Sequence, residues 1–190
     1  MNFQMALRTG YALPVGSVDD GESMDDSFSG QIPLIVDLGA KSEAIFVGGY
    51  FGLGFGGTAG RLNLQCSEVQ VNCSATSFRG GFEFLAYFGS GKEYNPWIGY
   101  GVGYESTRIG ISGPGGDASV TLSGPEFARF LTGVDFRLND AFSLGLLVDF
   151  SLGEYTRVSA ERPGSNQSGE VARKTIHEWL TFGVRGVLSP

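Results

Sequence analysis

The chain has 190 residues, 31 of them glycine, with 13 basic against 20 acidic side chains. That length suits one domain of moderate size, and the acidic balance excludes a nucleic-acid partner, which needs a concentrated basic face. The longest apolar runs fall far short of the roughly 20 residues a membrane-spanning helix requires, so any crossing of a bilayer is made by strands.

From 3 to 13, Phe3, Met5, Leu7 and Tyr11 alternate with small, polar or charged residues, the period of two that puts one set on each face of a strand. The pattern returns at 29–39 with Ile32, Leu34, Val36 and Leu38. It is clearest at 44–56, where Ile45, Val47, Gly49, Phe51, Leu53 and Phe55 oppose Phe46, Gly48, Tyr50, Gly52 and Gly54. It continues at 76–89 through Phe82, Phe84, Ala86 and Phe88, and at 95–107 through Ile98, Tyr100, Val102 and Tyr104. The last strands are 125–138 (Phe130, Val134, Phe136), 141–153 (Phe142, Leu144, Leu146, Val148, Phe150) and 175–188 (Leu180, Phe182, Val184, Leu188). Each is near or above the roughly 9 to 11 residues a tilted membrane strand needs.

The connections alternate between short (40–43, 90–94, 139–140) and long (14–28, 57–75, 106–124, 154–174). A sheet closed on itself with its apolar face outward satisfies all of this. The expected fold is therefore all-β, an eight-stranded antiparallel up-and-down transmembrane β-barrel spanning 1–190 as a single domain, with short turns and both termini periplasmic and the long loops outside. Tyr11, Phe78 and Tyr104 toward the loops, and Phe88, Phe136 and Phe142 toward the turns, supply two aromatic girdles. The acids in outward phase, Glu126 and Glu178, fall near the loop ends.

The inward set carries Arg8, Arg79, Arg129, Arg137 and Arg185 against Asp37, Glu83, Glu105, Asp135 and Asp149, a neutral sum. Eight strands leave an interior just wide enough for side chains to fill, so these charges are expected to pair and plug the lumen. A three-residue turn at 138–140 sets Arg129 opposite Asp149, and a tight register across 90–94 sets Arg79 opposite Glu105. Inward glycines, among them Gly48, Gly52, Gly99, Gly101 and Gly103, make room for Phe46, Tyr50, Trp97 and Trp179.

His177, the only histidine, is placed inward at the outer rim. A general base is one reading of it, but no nucleophile has a distinctive spacing beside it, and the expectation is a rim histidine hydrogen-bonded to a loop, with no catalytic residue. Asp19, Asp20, Glu22, Asp25 and Asp26 crowd the first long loop without the spacing of a calcium loop, so neither metal nor cofactor is expected. The glycine-rich 110–116 segment reads as a flexible loop tip. Cys66 and Cys73, close together in a polar loop, are expected to form a disulfide in an oxidising compartment. The chain is read as the mature part of an exported protein, Met1 standing where a signal peptide was removed.

Arg8, Thr9, Gly10 and Tyr11 leading to Pro14 and Gly16, the run from Trp97 to Gly103, and the pattern from Thr181 to Val187 together resemble the small outer-membrane β-barrels of Gram-negative bacteria, the OmpA/OmpX-like superfamily. The resemblance implies a barrel of eight strands inserted into outer-membrane lipid by the barrel-assembly machinery, with mobile surface loops. Members usually end in an aromatic residue, whereas this chain ends Leu188, Ser189, Pro190. The expected function is structural or interactive, with a non-conducting lumen and loops that engage a protein partner. A lipid-modifying barrel enzyme, a narrow pore and a soluble lipocalin-like carrier are the alternatives.

Overall fold

A computed structural model describes residues 1–19, 22–23, 28–68, 71–89, 93–114, 116–171 and 174–189. In chain order the elements are β1 (Asn2–Asp19), β2 (Glu22–Ser23), β3 (Phe28–Lys41), β4 (Ile45–Thr58), helix α1 (Gly60–Glu68), β5 (Asn72–Tyr87), β6 (Tyr94–Gly113), β7 (Gly116–Arg137), β8 (Phe142–Glu154), β9 (Arg157–Arg162), β10 (Ser165–Glu170) and β11 (Ile176–Leu188). Eight of them close a ring: β1, β3, β4, β5, β6, β7, β8 and β11 pair in that order, and β11 returns to β1. Every pairing is antiparallel. Closure leaves no open edge in the wall.

Polarity is inverted relative to a soluble protein. Phe51, Phe84, Leu146 and Phe182 are 49%, 44%, 57% and 52% exposed, while Arg8, Asp37, Glu105, Arg129 and Asp149 are buried. The apolar exterior runs from strand to strand around the whole wall, far beyond the few hundred Å² that a soluble monomer tolerates. A lipocalin-like carrier needs the reverse arrangement, and these exposures overturn that alternative. Tyr11, Phe78 and Tyr104 near the loops, and Phe88, Phe136 and Phe142 near the turns, all lie on the outer face.

Two irregularities shift side chains from their expected places. An extra residue in β7 between Glu126 and Ala128 slips the pairing with both neighbours. A bulge reverses the strand's phase, so Glu126 turns inward and is buried, whereas Phe127 faces out. The β7–β8 turn is also longer than expected: Arg137 pairs with Ser143, and the Asn139 side-chain oxygen caps it by accepting from the Ala141 and Phe142 N–H groups at 3.0 and 2.9 Å. Arg129 consequently lies opposite Ser151, and Leu131 opposite Asp149. In the β1–β3 ladder, pairing is interrupted between Thr9–Leu34 and Ala12–Gln31, where Pro33 has no N–H to donate.

The long loops contain structure that alternation did not reveal. Residues read as loop and flexible tip at 106–124 continue β6 and β7 as one hairpin closed by the Gly113–Gly116 pair. Within 154–174, β9 pairs with β7 over Ser119–Ser123 and β10 pairs with β9, so a sheet stands on the wall at the loop end. The stretch at 57–75 carries α1, tied to β5 by the Cys66–Cys73 disulfide with Cα atoms 6.2 Å apart. Of the expected acidic loop, Asp20, Asp25 and Asp26 lie outside the described residues.

Candidate functional site: the charged lumen and its loop end

Tilted strands aim alternate side chains at the barrel axis, and because the ring is narrow, residues from distant strands meet there. Near the turns, the Arg185 guanidinium donates to Asp135 from Nε and Nη2 at 2.8 and 2.5 Å, a two-pronged pair, and Nη2 also reaches Tyr87 Oη at 2.7 Å. Trp97 Nε1 donates to the same carboxylate at 3.1 Å, and its ring lies 3.9 Å beneath the guanidinium. Phe46, Leu85, Tyr87, Trp97, Leu131 and Leu147 form an apolar cluster inside.

Arg8 joins β1 to β3 and β5 by pairing with Asp37 and, at 2.8 Å, with Glu83. Arg129 grips Asp149 through Nε at 2.9 Å and through Nη2, with Tyr50 lying 4.5 Å from the guanidinium. The pair forms although the two residues are offset by two positions in register, a separation long side chains bridge diagonally. Toward the loops, Arg79 stands opposite Glu105, 3.3 Å away, and also meets Glu126 at 3.4 Å and Ser151 Oγ at 3.0 Å. Tyr50 Oη donates to Glu126 at 2.6 Å.

All nine expected lumen residues thus sit within this network, but its charge balance differs from the neutral sum read from sequence. Arg137 is exposed at the turn end and Glu126 has joined the interior, leaving four arginines facing six carboxyl groups among the described residues. Arg8 and Arg79 each serve two acids, and Arg129 and Arg185 one each. A pocket near Ala12, Gln31, Ile35, Arg79 and Arg129 is about 10 Å³, close to the smallest that holds one water. The turn end is a shallow mouth of about 350 Å³ lined by Lys41, Glu43, Asn95, Arg137 and Asp140.

His177 is 1% exposed, stacked on Tyr155 with ring centres 3.9 Å apart, and its Nε2 lies 3.3 Å from Glu105 Oε2. Tyr155 Oη donates to the other Glu105 oxygen at 3.1 Å, and Thr107 joins them. This packing closes the imidazole off from any incoming substrate, and a general base must reach the proton it removes. The expected loop hydrogen bond is replaced by contacts to β6 and to the root of the β8–β9 connection. Tyr87 and Gln4 were legible as inward members of alternating strands. Tyr155 lay in residues read as loop, and Glu126 was hidden by the bulge.

Among solved structures, the chain aligns over 97% of its length with 96% of Neisserial surface protein A, at 11% identity and a TM-score of 0.59. It aligns over 100% with 100% of a major outer membrane protein from Thermus thermophilus, at 12% identity and a TM-score of 0.63. The chain has the fold of small outer-membrane β-barrels. Ail, the attachment invasion locus protein of Yersinia pestis, shares this barrel fold, covering 98% of the chain and 99% of Ail at 13% identity and a TM-score of 0.52. Neither a protein-family model nor the sequence of a curated protein matches the chain.

Proposed function

We propose that this chain is an integral protein of a bacterial outer membrane that works without catalysis, as a rigid, non-conducting support for an interaction surface at its loop end. The observation that carries this reading is the four arginines ion-paired across the axis to acids on other strands, with a pocket of only about 10 Å³ beside Arg79 and Arg129. An ion path needs continuous water, whereas these guanidinium and carboxylate groups pair across the axis and occupy space that water would need. Outer-membrane lipid covers the apolar wall, and the barrel-assembly machinery is the partner that would insert it. The β6–β7 hairpin, the β9–β10 hairpin and α1 stand where a partner arriving from outside would meet them.

The test is single-channel recording in planar bilayers. The purified protein is expected to give no unit conductance steps across a range of voltages. Reproducible steps of one size would overturn the plugged lumen.

A further inference from the structure

The sheet at the loop end is finished on one side and unfinished on the other. Its strands run β6, β7, β9, β10, and among the described residues β10 pairs with β9 alone. All six residues of β10, Ser165 to Glu170, are exposed, and its register with β9 is unbroken from Ser165–Arg162 to Glu170–Arg157. Edges of this kind are normally blunted by lysine, proline, a bulge or a covering segment. β10 contains no lysine or proline, and its pairing shows no bulge.

The β9–β10 turn determines which main-chain groups are free. Pro163 and Gly164 (φ 78°) occupy the central positions of a type II turn, so Arg162 and Ser165 are hydrogen-bonded to each other. Along an antiparallel ladder this alternates. The N–H and C=O groups of Asn166, Ser168 and Glu170 therefore point away from β9, spaced for another strand.

Side chains on one face of the sheet extend the argument. Register places Thr121, Ser159 and Ser168 in one row and Ser123, Arg157 and Glu170 in the next. The two rows line a groove of about 390 Å³ that reaches β10 at Ser168 and Glu170. The first row is all hydroxyl. The second places Glu170 beside Arg157, with no basic residue among the described ones on its outer side.

We propose that β10 is a docking edge for an extended segment of a partner protein, which adds as an antiparallel strand and carries a basic residue followed two positions later by serine or threonine. The basic residue falls opposite Glu170 and the hydroxyl residue opposite Ser168, completing both rows, because in antiparallel pairing the residue facing Glu170 comes first. A second copy of this chain in the same membrane does not fit. Antiparallel pairing of two identical edges requires a two-fold axis normal to the sheet. The sheet continues the barrel wall through β7, so that axis lies in the membrane plane and would invert one barrel. The inference rests on the loop-end surface proposed above and names what that surface binds.

The test uses the full chain in lipid nanodiscs and a fluorescent ten-residue peptide with Lys-Asn-Thr at its centre in a threonine and glutamine background, read by anisotropy. Ser168→Pro removes an outward N–H without touching the β9 ladder, and Ser168→Lys blunts the edge without proline. Each is expected to weaken binding by about tenfold, the loss of one or two main-chain bonds, whereas Gln167→Ala leaves it unchanged. Glu170→Lys should disfavour the peptide and favour its Lys-to-Glu version. Equal affinity across these variants, or no binding to the unmutated chain, would overturn the proposal. So would a dimer in nanodiscs that Ser168→Pro dissolves, which would assign the edge to self-association. If a chain with 157–170 replaced by a glycine-serine linker binds the peptide undiminished, the edge assignment falls while a loop-end surface elsewhere stands. Conductance steps alongside edge-dependent binding would retire the plugged lumen and leave the docking edge intact.

Discussion

Asp135 shows how much a single lumen residue carries. It takes both prongs of Arg185 and the Trp97 N–H, all buried. Asp135→Ala leaves a guanidinium enclosed without its counter-ion, and breaking a buried pair in this way costs about 3 to 5 kcal/mol. Urea unfolding in detergent micelles is expected to show that loss. Replacing both members of a pair, Arg129→Met with Asp149→Leu, is expected to fall within about 1 kcal/mol of the unmutated chain or above it, because no orphaned charge remains. Which residues paired was legible where turns were tight and strands regular: Arg79 meets Glu105 in register because nothing disturbs the ladder between β5 and β6. The register of Arg129, which stands opposite Ser151 while still pairing with Asp149, and the inward turn of Glu126 were not legible, because the Asn139 turn and the β7 bulge are local backbone features that a hydrophobic pattern does not record.

At the scale of elements, the wall strands were readable for a physical reason: one face meets lipid and the other a packed interior, so polarity must alternate. The β9–β10 hairpin obeys no such rule. Arg157–Arg162 and Ser165–Glu170 are solvated on both faces over most of their length, and nothing compels a period of two. Gly103 illustrates the opposite case, a position where packing leaves no latitude. A Cβ there would come within 2.6 Å of the Gly80 carbonyl oxygen and would collide with the Tyr50 hydroxyl, so the residue that receives Tyr50 has to be glycine. Helix α1 (Gly60–Glu68) holds its place by a different device. The disulfide closes a short loop, and by chain entropy such a closure contributes about 2.5 kcal/mol to local order. Reduction, followed by hydrogen exchange with mass spectrometry, is expected to speed exchange across 60–73 and leave the wall strands protected. Equal protection before and after reduction would show that α1 is held by packing instead.

The molecule as a whole is a ring, and a ring fails all at once. No strand of the wall can leave without breaking two ladders and exposing at least part of a charged interior. Electrophoresis should reveal this. The unheated protein in mild detergent is expected to run faster than the boiled protein, with the change occurring over a narrow temperature range, and Asp135→Ala should lower that range without abolishing the shift. A band of unchanging mobility would argue that the ring is not closed in solution.

The buried arginines also constrain how such a protein can enter a bilayer. Taken singly, the strands bearing Arg8, Arg79, Arg129 and Arg185 would each drag a bare guanidinium into hydrocarbon, at about 2 to 4 kcal/mol apiece near the midplane. The acids that neutralise them are all supplied by other strands: Arg8 waits on β3 and β5, Arg79 on β6 and β7, Arg129 on β8, and Arg185 on β7. Piecemeal threading is therefore uphill at every step, and the favourable route is for neighbouring strands to assemble before or while they cross. The ledger of opposite charges that seals the finished barrel thus acts earlier too, as a requirement that its strands travel together.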